Sequence, residues 1–268
     1  PELTAEIGNT RTAGLVYRPR FVPGLSVAVD YFDITVSNAI INLLAVNSTY
    51  QRSCFTSGGT SPYCFLYTRP FPYSNSTPAN AVTAVRNTVI NIAEQHSQGV
   101  DVEVNYSRPV FGRPAALRLL TTYQPDLEFI QPGIPTLNNA GVSYGTNAQQ
   151  AAPIWRVTGM VRFSPLRNFD VAIQTRWRDK LTHSADPTHV VSSPKVAAVT
   201  YTSLNLSYGV ETPVGRSEFF INVSNLFNQD PPPAAFYGSQ TNPGGLQGFA
   251  LGDDPVGRAF TFGLRIRH

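Results

Sequence analysis

The sequence predicts an all-β protein whose strands form an antiparallel transmembrane β-barrel, with short turns on one side and long loops on the other. The first observation is that apolar and polar residues alternate with a period of two in one segment after another. The second is that aromatic residues stand at the ends of these apolar faces. The third is that every second connection is long, which is typical of outer-membrane barrels.

The composition agrees with this fold class. Only 14% of the 268 residues are charged, and the mean hydropathy is −0.12. No segment approaches the run of about 18 apolar residues that a membrane helix needs. A barrel sends alternate residues to lipid and to a polar lumen, so its mean hydropathy resembles that of a soluble protein. The net charge is +3, but the basic residues are scattered, so we expect no nucleic-acid partner.

About nine strands are predicted from the alternation. They lie at residues 3–18, 24–38, 85–107, 114–126, 153–164, 168–179, 197–209, 215–226 and 257–268. In the second strand the apolar face switches near Tyr31 and Phe32. The third alternates valine or tyrosine with polar residues over 100–107, so one face suits lipid and the other suits water.

The fifth and sixth strands show the aromatic ends most clearly. Trp155 and Phe163 bracket the apolar face of the fifth strand, and Phe169 and Trp177 bracket that of the sixth. Each is about ten residues long, as a tilted membrane strand must be. The seventh strand alternates in the same way, whereas Phe220 interrupts the polar face of the eighth. Rings at both ends of an apolar face predict the two interfaces of a membrane.

The connections alternate in length. The short ones are residues 18–24, 108–114, 164–168 and 210–215, and the long ones are about 39–85, 127–153, 180–196 and 227–256. Bacterial outer-membrane barrels have short periplasmic turns, long extracellular loops and an even number of strands. An odd total of about nine therefore indicates a piece of a larger barrel.

Several short motifs, in this order along nearly the whole chain, resemble those of TonB-dependent receptors. They are Pro1-Glu2 with Glu6-Ile7-Gly8, the segment 24–34, Asn91 with Gly99-Val100-Asp101-Val102-Glu103, Asn225-Leu226-Phe227-Asn228, and Gly257-Arg258-Ala259-Phe260 with Gly263-Leu264-Arg265. The resemblance implies that residues 1–268 form the C-terminal part of a receptor barrel, roughly the last nine of its 22 strands. His268 stands where the family usually ends in Phe or Trp, which bears on recognition by the assembly machinery.

The resemblance also implies a function and a set of partners. The family takes up scarce nutrients, such as ferric siderophores, cobalamin or glycans, across the outer membrane of bacteria. The partners implied are outer-membrane lipid, a plug domain and N-terminal strands outside this chain, the TonB complex that supplies energy, and a small nutrient ligand. No cofactor is implied.

The only two cysteines, Cys54 and Cys64, lie in the long connection after the second strand. A disulfide suits an oxidising cell surface and would close about ten residues, which stabilises by about 3 kcal/mol in the chain-entropy model. Free thiols or a metal site are the alternatives, although two cysteines without a nearby histidine make a poor zinc site. The family's similarly placed loop cysteines favour the disulfide.

Three arginines, Arg156, Arg176 and Arg178, have the parity of lumen-facing residues near the long-loop ends of two adjacent strands. Guanidinium groups bind carboxylates bidentately, so these side chains are candidates for contacting an anionic substrate. The alternative is that they pair with the plug, with Asp101 and Glu103, or with other lumen groups.

An aromatic cluster in the cysteine loop includes Tyr63 and Tyr67. Such rings are candidates for stacking on a sugar or siderophore. The alternative is that they pack on one another, because a loop of this length needs a small core of its own.

Other functions are weaker hypotheses. A passive porin-like or adhesin-like barrel is the main alternative, and a secreted β-sandwich that binds glycans is another. The histidines fit no His-Glu-x-x-His pattern, and the chain has no Gly-x-Ser-x-Gly elbow or glycine-rich phosphate loop. We therefore expect no enzyme activity.

Overall fold

The computed structural model of the chain describes residues 2–144, 151–187, 190–212, 215–235 and 248–267. Strands, mostly antiparallel, account for 59% of the described residues and helix for 6%, which confirms the all-β fold class. The chain forms two compact units. The first comprises Pro1–Arg11, Asp33–Ser97 and Glu128–Asn138, and the second comprises Thr12–Phe32, Gln98–Leu127 and Asn139–His268. His268 itself lies outside the described residues, so the structure does not bear on its predicted role in assembly.

Nine long strands of the described ranges form one sheet. In chain order they are β1 (Ile7–Tyr17), β2 (Leu25–Leu43), β3 (Thr88–Ser107), β4 (Ala115–Gln131), β5 (Trp155–Leu166), β6 (Phe169–Arg178), β7 (Val199–Thr212), β8 (Gly215–Ser224) and β9 (Ala259–Arg267). Each strand pairs with its neighbours in sequence, and the path ends at β1 and β9. The sheet is therefore open and not closed into a barrel. The predicted set of nine strands is confirmed.

Two strands are longer than the alternation predicts. β2 continues to Leu43 beyond the predicted end at residue 38, and β4 continues to Gln131 beyond residue 126. The added residues bury Ala39 and Phe129 in a small core of the first unit. The sequence does not reveal these extensions, because residues 39–43 (Ala-Ile-Ile-Asn-Leu) do not alternate.

Apolar side chains of the second unit lie in rows across adjacent strands. One row is Leu117, Val161, Ile173, Leu204, Val223 and Phe260. The next is Phe163, Val171, Leu206, Ile221 and Phe262. Many members of these rows are exposed large hydrophobics. A contiguous exposed apolar surface of this size is typical of a protein that faces lipid.

Together these rows form an apolar band, and aromatic residues lie at both of its ends along the strands, as the sequence predicts. At the long-loop end, the rings of Tyr123 and Trp155 lie 4.5 Å apart. At the short-turn end, Tyr208 pairs with both Phe169 and Phe219 in the sheet register. Exposed rings at both ends of an apolar band form the aromatic girdles of membrane barrels.

The opposite face of these strands is polar. One of its rows is Arg162, Ala172, Asn205, Asn222 and Thr261. The Nδ2 atom of Asn205 donates a hydrogen bond to Oδ1 of Asn222 within this row. Phe220 is one of the few large apolar residues on this face, and its register partner is Gly263.

The first unit contains a loop core between β2 and β3. Helix α1 (Ser48–Thr56) begins after Asn47, whose side-chain oxygen accepts a hydrogen bond of 2.9 Å from the Thr49 backbone N–H. Two 3-10 turns follow, at Cys64–Leu66 and Pro78–Asn80, together with a short strand pair, Tyr67–Thr68 with Ala84–Val85. The sequence analysis missed the helix and the short strands, since each is too brief to show a period. Across the described residues, no helix is long and apolar enough to cross a membrane.

The other long connections contain short strands as well. Ile134–Asn138 folds back on β4 in the first unit. In the second unit, Leu181–Thr182 pairs with Lys195–Val196, and Pro233–Ala234 pairs with Gly248–Phe249. One small core is formed by four buried residues in or next to these short strands of the second unit: Leu181, Val196, Ala234 and Ala250. Local cores thus hold the described parts of the long connections.

The three short connections that are described throughout are tight, and the alternation of short with long connections is confirmed. Between β3 and β4, Val110 and Arg113 exchange backbone hydrogen bonds of 2.8 and 3.0 Å. The two residues at the tip, Phe111 and Gly112, both have positive φ, at 51° and 71°. Such a turn favours Asn or Gly, and a bulky residue there is unusual.

Candidate functional site

A cavity of about 490 Å³ in the second unit brings the three candidate arginines together. It lies at the long-loop ends of β4, β5, β6 and β7, and the connection before β9 contributes one wall. Arg156 and Arg178 are direct register partners, and Arg176 pairs with Thr158 on the same face. The predicted common face of the three arginines is therefore present in the structure.

Arg178 is held by a buried carboxylate. Its Nε donates to Oδ1 of Asp253 at 2.7 Å and its Nη2 to Oδ2 at 2.5 Å. Its Nη1 donates to the backbone oxygens of Asp179 and Ala197 at 3.0 and 2.7 Å. Both side chains are buried. Four of the five guanidinium donors are thus used, so Arg178 differs from the predicted substrate contact and acts as a structural tie.

Asp253 differs from the usual acidic residue of a long connection, which is a solvated surface charge. Its side chain is only 1% exposed and completes the ion pair with Arg178. No signal in the sequence could have matched them, because the two residues are 75 positions apart and Asp253 lies in a connection without a period. The ion pair fixes that connection to the end of β6.

Arg156 and Arg176 have no carboxylate partner in the described parts of the chain. Arg156 donates through Nη2 to the neutral side chain of Gln124 at 2.9 Å. The guanidinium of Arg176 lies 6.0 Å from the ring centroid of Tyr201. Both arginine residues are exposed. Asp101 and Glu103, the partners that the sequence left open, instead contact Thr122 at 2.7 Å and Arg118 at 3.0 Å.

The charge balance of the cavity favours an anion. Its lining contains Arg156, Arg176, Arg178 and a single acidic residue, Asp253. Since Asp253 neutralises Arg178, two positive charges remain on exposed guanidinium groups. A guanidinium fits the planar, bidentate geometry of carboxylate and phosphate oxygens. The apolar part of the lining comes from buried residues such as Val199 and Tyr201.

Tyr201 and Gln124 are site residues that the sequence analysis missed. The sheet register offers a signal for Tyr201, since it pairs with Arg176 and shares its face. Gln124 lies one residue beyond the paired segment of β4 that ends at Tyr123. Neither residue type is distinctive enough to be selected without knowing that register.

The loop tyrosines Tyr63 and Tyr67 are buried. Tyr63 is 0% exposed, and its ring stacks on Tyr50 at 4.8 Å between centroids. Tyr67 is also buried, and its hydroxyl donates to the backbone oxygen of Ala45 at 3.0 Å. Burial raises the pKa of Tyr67 to about 12 and raises the pKa of Tyr63 further. The stacking role predicted for Tyr63 and Tyr67 is therefore replaced by packing within the loop core.

The predicted disulfide between Cys54 and Cys64 is confirmed. It joins α1 to the following 3-10 turn, and Cys54 belongs to the same core as Tyr63 and Tyr67. Within the ranges that the structure covers, no three His, Cys, Asp or Glu residues are grouped so as to hold a metal ion.

Comparison with known proteins finds one family and several related folds. The family model for a TonB dependent receptor-like β-barrel matches residues 1–226. A mutant ferric enterobactin receptor (PfeA) from Pseudomonas aeruginosa has a TM-score of 0.59 at 16% identity, with 98% of this chain and 31% of that chain covered. The siderophore receptor PirA from Acinetobacter baumannii has a TM-score of 0.56 at 15% identity, covering 98% and 32%. For the FrpB iron transporter from Neisseria meningitidis, the TM-score is 0.55 at 12% identity, covering 98% and 31%.

These solved structures show the fold of the chain. The chain spans about a third of the length of these solved relatives, 31% for the first of them. No curated protein matches the chain.

Proposed function

Because the chain belongs to the TonB-dependent receptor β-barrel family, we propose that it forms the C-terminal wall of an outer-membrane receptor that imports a scarce nutrient. Residues 1–268 would supply about the last nine strands of a 22-stranded barrel. A plug domain and the N-terminal strands would complete the receptor, and the TonB complex would supply the energy. The exposed apolar rows support contact with outer-membrane lipid.

The cavity supports an anionic nutrient, and a ferric siderophore is the class that fits best. The observation that carries this proposal is the pair of exposed guanidinium groups, Arg156 and Arg176, beside a pair, Arg178 and Asp253, that is already neutral. Cobalamin and neutral glycans would not need two uncompensated positive charges. The solved structures with the same fold include siderophore receptors, which agrees with this choice.

In this proposal the side chains have different roles. Arg156 and Arg176 contact the anionic groups of the nutrient, and the ring of Tyr201 restricts the position of Arg176. Arg178 and Asp253 hold the wall in shape without contacting the ligand. The loop core with Cys54 and Cys64 gives the neighbouring long connection a fixed shape.

The test measures both the binding and the uptake of iron-loaded anionic siderophores by cells that depend on this receptor. We expect Arg156→Gln with Arg176→Gln to lower binding affinity by about tenfold or more, since each charge-assisted hydrogen bond contributes about 1.5–3 kcal/mol. Arg162→Gln is the matched control, because it lies on the same strand and face as Arg156 but does not line the cavity. Equal uptake by the double variant and the control would contradict the substrate assignment.

The import function is tested separately from the substrate. Deletion of the TonB complex should abolish uptake through the receptor, whereas passive diffusion through a porin would continue. The porin-like or adhesin-like alternative remains the second candidate, and the family match does not favour it. Ion conductance by the purified protein without a plug would support that alternative.

A further inference from the structure

The short turns have a surface chemistry that nutrient import does not use. Residues 18–24, 108–114 and 164–168 are here called the short-turn rim. They contain five arginines and no acidic residue. The five are Arg18, Arg20, Arg108, Arg113 and Arg167, all exposed, and none forms an ion pair within the described part of the chain.

Each turn of the rim also exposes a large apolar side chain. Phe21 is 80% exposed, Phe111 is 96% exposed and Leu166 is 58% exposed. Isolated exposed hydrophobics are ordinary, but here one recurs beside arginine in three successive turns. A repeated pairing of this kind calls for one environment that accepts both an apolar side chain and a positive charge.

Phe111 provides an independent observation. It occupies the tip of its turn with φ at 51°, in the left-handed region where side chains other than Asn, Asp and Gly are disfavoured. The turn would form more readily with Asn at that position. A strained position that holds a fully exposed phenylalanine gains nothing within the fold, which points to a partner outside it.

We propose that the short-turn rim docks on the acidic phospholipid headgroups of the membrane leaflet that faces it. Phe21, Phe111 and Leu166 would enter the upper acyl region, and the arginines would bind the phosphates bidentately. The location of the rim argues for lipid over a protein partner. The aromatic end of the apolar rows begins at Phe169, directly after the third turn, so lipid contact continues into the rim.

The proposal rests on the membrane placement in the proposed function but not on nutrient import. An arginine near an acidic headgroup layer is expected to favour binding about fivefold. Two arginines flank Phe111, so loss of both should remove most of the preference of that turn for acidic lipid. The acids near the rim are fewer than its arginines: Glu218 pairs with Arg265 at 2.8 Å, Asp170 accepts a hydrogen bond from Ser164, and Glu211 lies in the fourth short turn, outside the rim.

The test uses tryptophan reporters in the full receptor that carries this chain, reconstituted in vesicles of phosphatidylethanolamine with phosphatidylglycerol. Phe111→Trp reports on the rim and Ile173→Trp reports on an apolar row. Phe55→Trp, on α1 and 74% exposed, is the water-exposed control. Emission is corrected for Trp155 and Trp177 with the parent protein. Brominated forms of each lipid quench a tryptophan that touches them, and acrylamide quenches one that faces water.

We expect brominated phosphatidylglycerol to quench Trp at position 111 more than brominated phosphatidylethanolamine does. Arg108→Gln with Arg113→Gln should abolish that difference. If position 173 is quenched by lipid while position 111 is reached only by acrylamide, the rim faces water or a protein and the inference is wrong. Equal quenching by both lipids would overturn the headgroup preference. If lipid does not quench position 173, the membrane placement itself fails.

Discussion

The ring of Phe220 on β8 lies over Gly263 on β9, where a β-carbon would overlap the ring atoms. This pair places an aromatic residue on the polar face of the sheet without crowding the neighbouring strand. The guanidinium of Arg265 covers the same ring at 5.7 Å from its centroid. A second example is Gly99, where a β-carbon would meet the ring of Phe32.

Gly263→Ala should destabilise the β8–β9 pairing. The added methyl group displaces the Phe220 ring, and overpacking of this kind costs about 1–3 kcal/mol. The measurement is the urea midpoint of unfolding in detergent. Gly159→Ala is the control, because the nearest atom to its added carbon is 3.8 Å away. Phe220→Ala should restore tolerance of Gly263→Ala, and a double variant no better than the single one would argue against the contact.

Asp253→Ala should destabilise the second unit more than a typical loop substitution does. It leaves the Arg178 guanidinium buried without its counter-ion, and breaking such a pair costs about 3–5 kcal/mol. The free energy of unfolding and the protease sensitivity of residues 251–254 are the measurements. Asp230→Ala, at an exposed position, should change neither. A loss for Asp253→Ala no larger than for this control would contradict the role of the ion pair.

Removal of the disulfide should loosen the loop core and leave the wall strands intact. Cys54→Ser with Cys64→Ser releases a closure over ten positions, which stabilises by about 3 kcal/mol. Hydrogen exchange should increase in α1 and around Tyr63, whose ring belongs to the same core. Exchange in β5 and β6 serves as the internal control. Uniform loss of protection in both regions would mean that the loop core is not an independent local unit.

The loop core should open at alkaline pH. Burial raises the pKa of Tyr67 from 10.0 to about 12, so the folded state holds this proton more tightly than the unfolded state does. The stabilisation that comes from this proton is complete below pH 10 and is lost as the pH rises through about 12. Tyrosinate absorbance should therefore rise together with loop exchange in this range. Tyr67→Phe removes the titrating group, so loop exchange should then rise less over this pH range. An unchanged rise in loop exchange would rule out Tyr67 as its source.

The nine-stranded sheet was predictable from the sequence, because its strands carry apolar residues on one face and polar residues on the other. This alternation is clear in residues 155–163, and the register confirms it. The long connections were not predictable, because their short elements are held by tertiary contacts. Helix α1 is nine residues long and depends on the core around Cys54.

The site was predictable in part. Parity placed Arg156, Arg176 and Arg178 on one face, which the structure confirms. The sequence does not show that only Arg178 has a carboxylate partner, because that partner is Asp253, which the fold brings to β6 from a distant connection. Tyr63 and Tyr67 show the same limit. Their aromatic character is readable from the sequence, but burial is decided by the residues that pack on them.

The neighbour-to-neighbour order of the sheet also has a kinetic consequence. In the described part of the chain, each long strand pairs with the long strands directly before and after it, so each of these pairings joins segments separated by one connection. The entropy of closing a connection grows with its length, which favours the hairpins with short turns as the first to form. The β1–β2, β3–β4, β5–β6 and β7–β8 hairpins would then act as preformed units, and the long connections would determine the rate at which these units join.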